Sequence, residues 1–193
     1  MSKLSYYDSL QARVCHNLPY PCNSKGQCVT NKIFKSFRAG INWEILYQKK
    51  MTKYSKEYNI LYQGFFVSDF TRDLENLVEN NLSRKGYAKK KNPKFYLYSA
   101  HDFTIQDIIF SLMGDTLSTF FPPYSSNLYT EVWKNNSSGK LSVRIIYNNR
   151  ILKVLGKDGS SKPWCDFNSC DYDKFIDVLR KSGIKDPATQ CVV

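Results

Sequence analysis

Phe95-Tyr96-Leu97-Tyr98-Ser99-Ala100-His101-Asp102, continuing into Thr104-Ile105-Gln106-Asp107-Ile108-Ile109-Phe110, decides how this chain is read. Six mostly bulky, strand-compatible residues end in an adjacent imidazole and carboxyl. Apolar residues then recur at Ile105, Ile108, Ile109, Leu112 and Met113, which is helical spacing. The first half does not alternate, so it reads as a strand covered on both faces, in the middle of a parallel or mixed sheet. His101 and Asp102 then stand where a central strand hands over to a helix. In open α/β sheets, ligands bind beyond the carboxyl ends of strands, and a helix start offers free N–H groups and a positive dipole end to an anion such as phosphate. The same residues admit a plain structural reading: Asp102 is a competent N-cap, and a histidine beside it can simply be packed.

The wider pattern carries more. Ser99-Ala100-His101-Asp102-x-Thr104, a helix, Pro122-Pro123-Tyr124-Ser125-Ser126 and Leu128-Tyr129-Thr130-Glu131-Val132-Trp133 follow in that order. Upstream stand Tyr7-Asp8-Ser9-Leu10 and Cys15-His16-Asn17-Leu18-Pro19; downstream stand Val143-Arg144-Ile145-Ile146-Tyr147-Asn148, Cys165, Cys170, Phe175 and Cys191. In type, order and spacing this resembles the histidine acid phosphatases, the second branch of the histidine phosphatase superfamily, over nearly the whole chain. The resemblance implies an α/β fold: a phosphoglycerate mutase-like mixed sheet flanked by helices with a small helical cap, incomplete because the amino-terminal half is absent.

The family's nucleophilic histidine lies in an Arg-His-Gly-x-Arg-x-Pro motif, and these 193 residues contain none. The second histidine, His16, falls where the family has a linker and is expected to be structural. The resemblance implies that Asp102 is the general acid and His101 a phosphoryl contact, in a mechanism whose nucleophile becomes a phosphohistidine. The partners implied are a phosphomonoester substrate and the missing amino-terminal half of the same enzyme; no cofactor is implied. One departure lies inside the motif: Phe103 stands where the family carries a small hydroxyl residue, and is expected to narrow or relax the pocket.

Six cysteines include Cys22 with Cys28 and Cys165 with Cys170, spacings that suit short disulfide loops and an oxidising compartment. With two histidines and no Cys-x-x-Cys pair, no metal site is expected. By resemblance, Cys165 and Cys170 bond each other, Cys191 reaches into the absent half, and Cys15 lacks its partner, since Asn127 stands there. The same family likeness implies a lysosomal or secreted location for the full-length protein. The start of the chain has no apolar core of a signal peptide, and no apolar run approaches the ~20 residues of a membrane span. Asn81-Leu82-Ser83 and Asn136-Ser137-Ser138 match glycosylation acceptors.

Two regions are expected: residues 1–86 as linker and helical cap, and residues 87–193 as the carboxyl-terminal part of the phosphatase core. In the first, Ile33, Phe34, Phe37 and Ile41 share a helical face, Gly40 is expected to interrupt, and Ser68 and Asp69 are cap candidates for a helix with Phe70, Leu74, Leu77 and Val78. In the second, three runs near Leu128–Trp133, Leu141–Tyr147 and Ile151–Leu155 read as an antiparallel meander, and a last helix starts near Asp171 with Phe175, Ile176 and Leu179 inward.

The net charge of +11 and the run Lys89-Lys90-Lys91 beside Tyr87 could suit a nucleic-acid surface. A lysine cluster in a linker is more simply a solvated edge, and a basic protein also steers anionic esters. Three readings therefore stand in order: the acid-phosphatase part, a noncatalytic phosphate-ester binder or regulatory remnant of that family, and a basic nucleic-acid module.

Overall fold

The computed structural model describes residues 3–82, 93–113, 121–154 and 163–184. The Gly86–Pro93 linker apart from Pro93, the lysine run, Leu155 and Cys191 lie outside them. Helices α1 (Lys3–Cys15), α2 (Asn31–Leu46), α3 (Ser55–Asn81), α4 (Asp102–Met113) and α5 (Tyr172–Ser182) surround strands β1 (Leu128–Lys134), β2 (Leu141–Tyr147), β3 (Arg150–Ile151) and β4 (Cys170–Asp171). This α/β arrangement, an antiparallel sheet flanked by helices, is compatible with the phosphoglycerate mutase-like layout.

The sheet is built on β2. β1 runs antiparallel along its full length, from Leu128 opposite Tyr147 to Lys134 opposite Leu141. On its other edge, β3 pairs with Ile146 and Tyr147, and β4 pairs with Ser142 and Val143. Asn148 and Asn149 both take positive φ, 46° and 63°, which is the two-residue turn whose twist suits a tight hairpin. Between β1 and β2, Asn135 Oδ1 accepts from the N–H groups of Ser137 and Ser138, each at 2.9 Å, so local side-chain bonding closes that loop.

α5 forms as its sequence predicts. Asp171 caps it, accepting from Lys174 N at 3.0 Å. Tyr172, Phe175, Ile176 and Leu179 recur at helical spacing and are all buried, while Arg180 and Lys181 close the last turn, where cations suit the dipole. Their partners are Val67 and Leu74 of α3, Ile108, Ile109 and Leu112 of α4, and Val143 and Ile145 of β2, which make the main core with Phe167 and Cys170. A second core joins Tyr7 of α1, Ile41 and Ile45 of α2, Phe110 of α4 and Phe121. α4 therefore lies between two apolar clusters. Disulfides join Cys22 to Cys28 and Cys165 to Cys170.

Three local expectations are corrected. α2 runs through Gly40 without interruption, because Thr30 caps it and its buried face continues to Ile41 and Ile45. Ser68 and Asp69 lie inside α3 and do not start a helix; Ser68 Oγ instead donates to Ile184 O at 2.8 Å, tying α3 to the end of α5. Most consequentially, residues 95–100 form no strand. Phe95 and Leu97 are 68% and 81% exposed, whereas Tyr98 is anchored. Its ring packs edge-on against Phe66 and Phe70, and its hydroxyl donates to Asp73 Oδ2 at 2.5 Å. A strand exists only where another strand accepts its hydrogen bonds, and none of the described strands lies beside this segment.

Candidate active site

The turn from Ala100 into α4 presents the expected pair. The His101 carbonyl accepts from Thr104 N at 3.1 Å, making His101 the residue that leads into the helix, while its side chain is exposed. Asp102 opens the first turn, half-buried, and its Oδ1 accepts from Phe103 N at 2.8 Å. A carboxylate in a first turn also suits the positive end of the helix dipole. His16 lies exposed at the end of α1, away from any core.

Phe103 has a structural role of its own. Its ring stands edge-on to Phe121 at 5.9 Å between centroids, and Phe121 stands edge-on to Tyr7 at 5.5 Å. Tyr7 in turn stacks on Phe34 of α2 at 5.5 Å. This relay of rings draws α1 and the Pro122-Pro123-Tyr124 segment up to the start of α4. Between them lies a pocket of about 30 Å³, lined by Tyr7, Asp8, Gln11, Arg38, Phe121, Pro122, Pro123 and Tyr124. That is roughly the room of one water molecule.

Polar groups of the pocket feel the charge of Asp102. Tyr124 donates its hydroxyl to Asp8 O at 3.2 Å. Burial, and behind it the charge of Asp102, pushes the Asp8 carboxyl above the ordinary aspartate range. Burial also raises the Tyr124 hydroxyl, with the Asp8 charge adding to it, and raises the Tyr7 hydroxyl against the opposing charge of Arg38. Two carboxylates, two phenols and a guanidinium thus gather at the amino end of α4. Such a group can donate and accept protons and hold an oxyanion.

The loop that carries Tyr124 is fixed from the sheet. Asn148 Oδ1 accepts from Asn127 N at 2.9 Å, and Asn148 Nδ2 donates to Ser126 Oγ at 3.2 Å. Asp8 and Arg38 were not legible as site neighbours. Asp8 and Tyr124 lie 116 positions apart, and no local spacing signals that contact. Among the described residues, no group of three histidine, cysteine, aspartate or glutamate side chains could hold a metal ion.

The sequence profile described as the histidine phosphatase superfamily (branch 2) matches residues 51–148, a span that includes α3, α4, the Pro-Pro-Tyr segment, β1 and β2. The chain belongs to the histidine phosphatase superfamily, branch 2. Among curated relatives, 2-phosphoxylose phosphatase 1 of Mus musculus is 28% identical over 142 residues, covering 73% of this chain and 27% of the relative. The same-named protein of Xenopus tropicalis is 30% identical over 142 residues, covering 73% and 26%. Lysophosphatidic acid phosphatase type 6 of Mus musculus is 25% identical over 107 residues, covering 54% and 23%. The chain therefore spans about 27% of the length of the first of these relatives. Family and relatives are phosphatases, in keeping with a phosphate-ester substrate. The two disulfides suit a lumenal or secretory setting, and no helix among the described residues is long and apolar enough to cross a membrane.

Proposed function

We propose that this chain supplies the general-acid side of an acid phosphatase-type phosphomonoester hydrolase that works through a phosphohistidine. The observation that carries the reading is the meeting of half-buried Asp102, exposed His101 and the Asp8–Tyr124 pocket at the start of one helix, in a chain of a phosphatase family. Asp102 gives its proton to the departing alkoxide, so the leaving group departs neutral. In the second step the resulting carboxylate takes a proton from the water that attacks the phosphohistidine. His101 donates to the phosphoryl oxygens, whose charge rises as the bond breaks.

The nucleophilic histidine comes from an Arg-His-Gly-bearing half, carried by a longer polypeptide or by a partner. Residues 1–86 act as linker and cap, residues 87–193 as the carboxyl-terminal part of the core, and the full-length protein resides in the lysosome or outside the cell. The exposure of Phe95 and Leu97 just before His101 supports a missing neighbour at this point.

A second reading rests on the exposed His101 side chain at the start of α4: a noncatalytic phosphate-ester binder using His101 and the start of α4. One assay separates them. The longest polypeptide encoded by the transcript is tested on an alkyl phosphate and on an aryl phosphate with a good leaving group. The catalytic reading expects turnover of both, and expects Asp102→Asn to slow the alkyl ester roughly 10²–10⁴-fold and the aryl ester less. Vanadate binding without turnover would sink it in favour of the binder.

A further inference from the structure

Halfway along α4 sits a charge that the proposed chemistry does not use. Asp107 is paired with Lys49, and their side chains are only 7% and 4% exposed. Lys49 comes from a single π-helical turn, Tyr47–Met51, between α2 and α3. Its ammonium lies over the rings of Tyr62 at 4.8 Å, Tyr58 at 5.7 Å and Phe110 at 5.9 Å. Asn59 Nδ2 donates to Lys49 O at 2.8 Å, fixing the turn to α3. Gln63 bonds Ser111 Oγ at 2.9 Å, and the amide orientation that satisfies both its ends turns Nε2 to Asp107 Oδ1 at 3.0 Å. Burial holds the Asp107 carboxyl up while the Lys49 charge opposes it.

Stability alone does not account for such a pair. Removing two charges from water costs about as much as their attraction returns, and apolar side chains of equal volume often do as well or better. An ion pair set among aromatic rings and directed hydrogen bonds offers a fixed direction in place of extra stability. Asp107 lies five residues beyond Asp102, about 7.5 Å along the same rigid helix, so any rotation or slide at Asp107 is carried to Asp102. The π-helical turn matters here because its extra residue per turn re-aims a side chain, and such turns recur at functional sites.

We propose that Lys49 and Asp107 are positioning residues: the clamp from the π-helical turn to the middle of α4 sets the rotation at which α4 presents Asp102 to the Asp8–Tyr124 pocket. The consequence for function rests on the phosphate-ester reading; the clamp itself does not.

The test uses the full 193-residue chain, with inorganic phosphate and vanadate as probes and the backbone amide resonances of residues 101–104 as reporters. Lys49→Met and Asp107→Leu singly each strand a buried charge and should lower Tm. The double variant fills both positions with apolar side chains and should recover Tm. It is nevertheless expected to shift the amides of residues 101–104 and to bind phosphate about tenfold more weakly, since small misplacements of a site group are costly. A double variant with wild-type Tm, wild-type amide positions and wild-type phosphate affinity overturns the proposal. Should the double variant fail to fold, Lys49→Arg, which keeps the charge and moves the donor, decides it on the same resonances. Wild-type chain that binds neither probe would sink the noncatalytic-binder reading, whose site lies within this chain, while the amide positions still decide whether the clamp orients α4.

Discussion

Phe103 stands beside the general-acid candidate and works through packing. Its edge-on contact with Phe121 links α4 to Tyr7 and Phe34, so it belongs to the second core although it begins the site helix. Phe103→Ala should cost about 2 kcal/mol in urea unfolding, the order of one aromatic contact plus the apolar area it covers. If Phe103 only narrowed the pocket, the variant would unfold like the wild type. Asp8 offers a test of the electrostatics. Its carboxyl is raised in the folded chain by burial and by the Asp102 charge, so folding favours its protonated form. That contribution is complete below the ordinary aspartate value and is lost as pH rises through the raised one. Asp8→Asn should therefore reduce the fall of unfolding free energy across that window, measured by urea titration at a series of pH values. An unchanged slope would mean that Asp8 is as free as an exposed aspartate.

Among the elements, the crossing of α3 with the end of α5 depends on the absence of a side chain. A Cβ on Gly64 would lie 2.5 Å from Ile184 Cγ1 and 3.1 Å from the Ile184 backbone nitrogen, which itself donates to Gly64 O at 3.2 Å. The side chain of Ile184 could turn away, but its backbone nitrogen, held at Gly64 O by a hydrogen bond, would have to give by a few tenths of an ångström. Gly64→Ala should destabilise the chain by roughly 2 kcal/mol despite its better helix propensity, and a Tm at or above wild type would refute this packing. The same crossing shows where sequence reading stops. α5, β1, β2 and the start of α4 were legible because cap, periodicity and turn residues all lie within a few positions of one another. Ser68, Asp69 and Gly40 carry the local marks of helix ends, yet they sit inside helices. Ser68 bonds Ile184, 116 residues away, and local propensity yields to such tertiary contacts. The site divides in the same way: His101 and Asp102 were legible as neighbours in the chain, whereas Asp8, Arg38 and Tyr124 meet only after folding.

For the whole molecule, the decisive feature is residues 95–100, read from a bulky run without alternation as a strand covered on both faces and found without strand partners, with Phe95 and Leu97 exposed. Bulky apolar residues specify a strand only through partners, and partnership is a property of the sheet. Among the described residues, the backbone of 95–100 makes no hydrogen bond, so its N–H and C=O groups stand beside exposed Phe95 and Leu97. An unpaired, extended, apolar segment is a template for another chain. Against this works the net charge of +11, which drives copies apart. The two forces respond oppositely to salt, since the screening length falls from about 10 Å at 0.1 M to about 3 Å at 1 M while apolar attraction persists. Sedimentation velocity of the chain should therefore show self-association that grows with salt. Leu97→Lys, which places a charge at the most exposed apolar position of the segment, should abolish that association without lowering Tm. Association that weakens with salt would instead assign the contact to charge pairs, and association unaffected by Leu97→Lys would place it elsewhere on the surface.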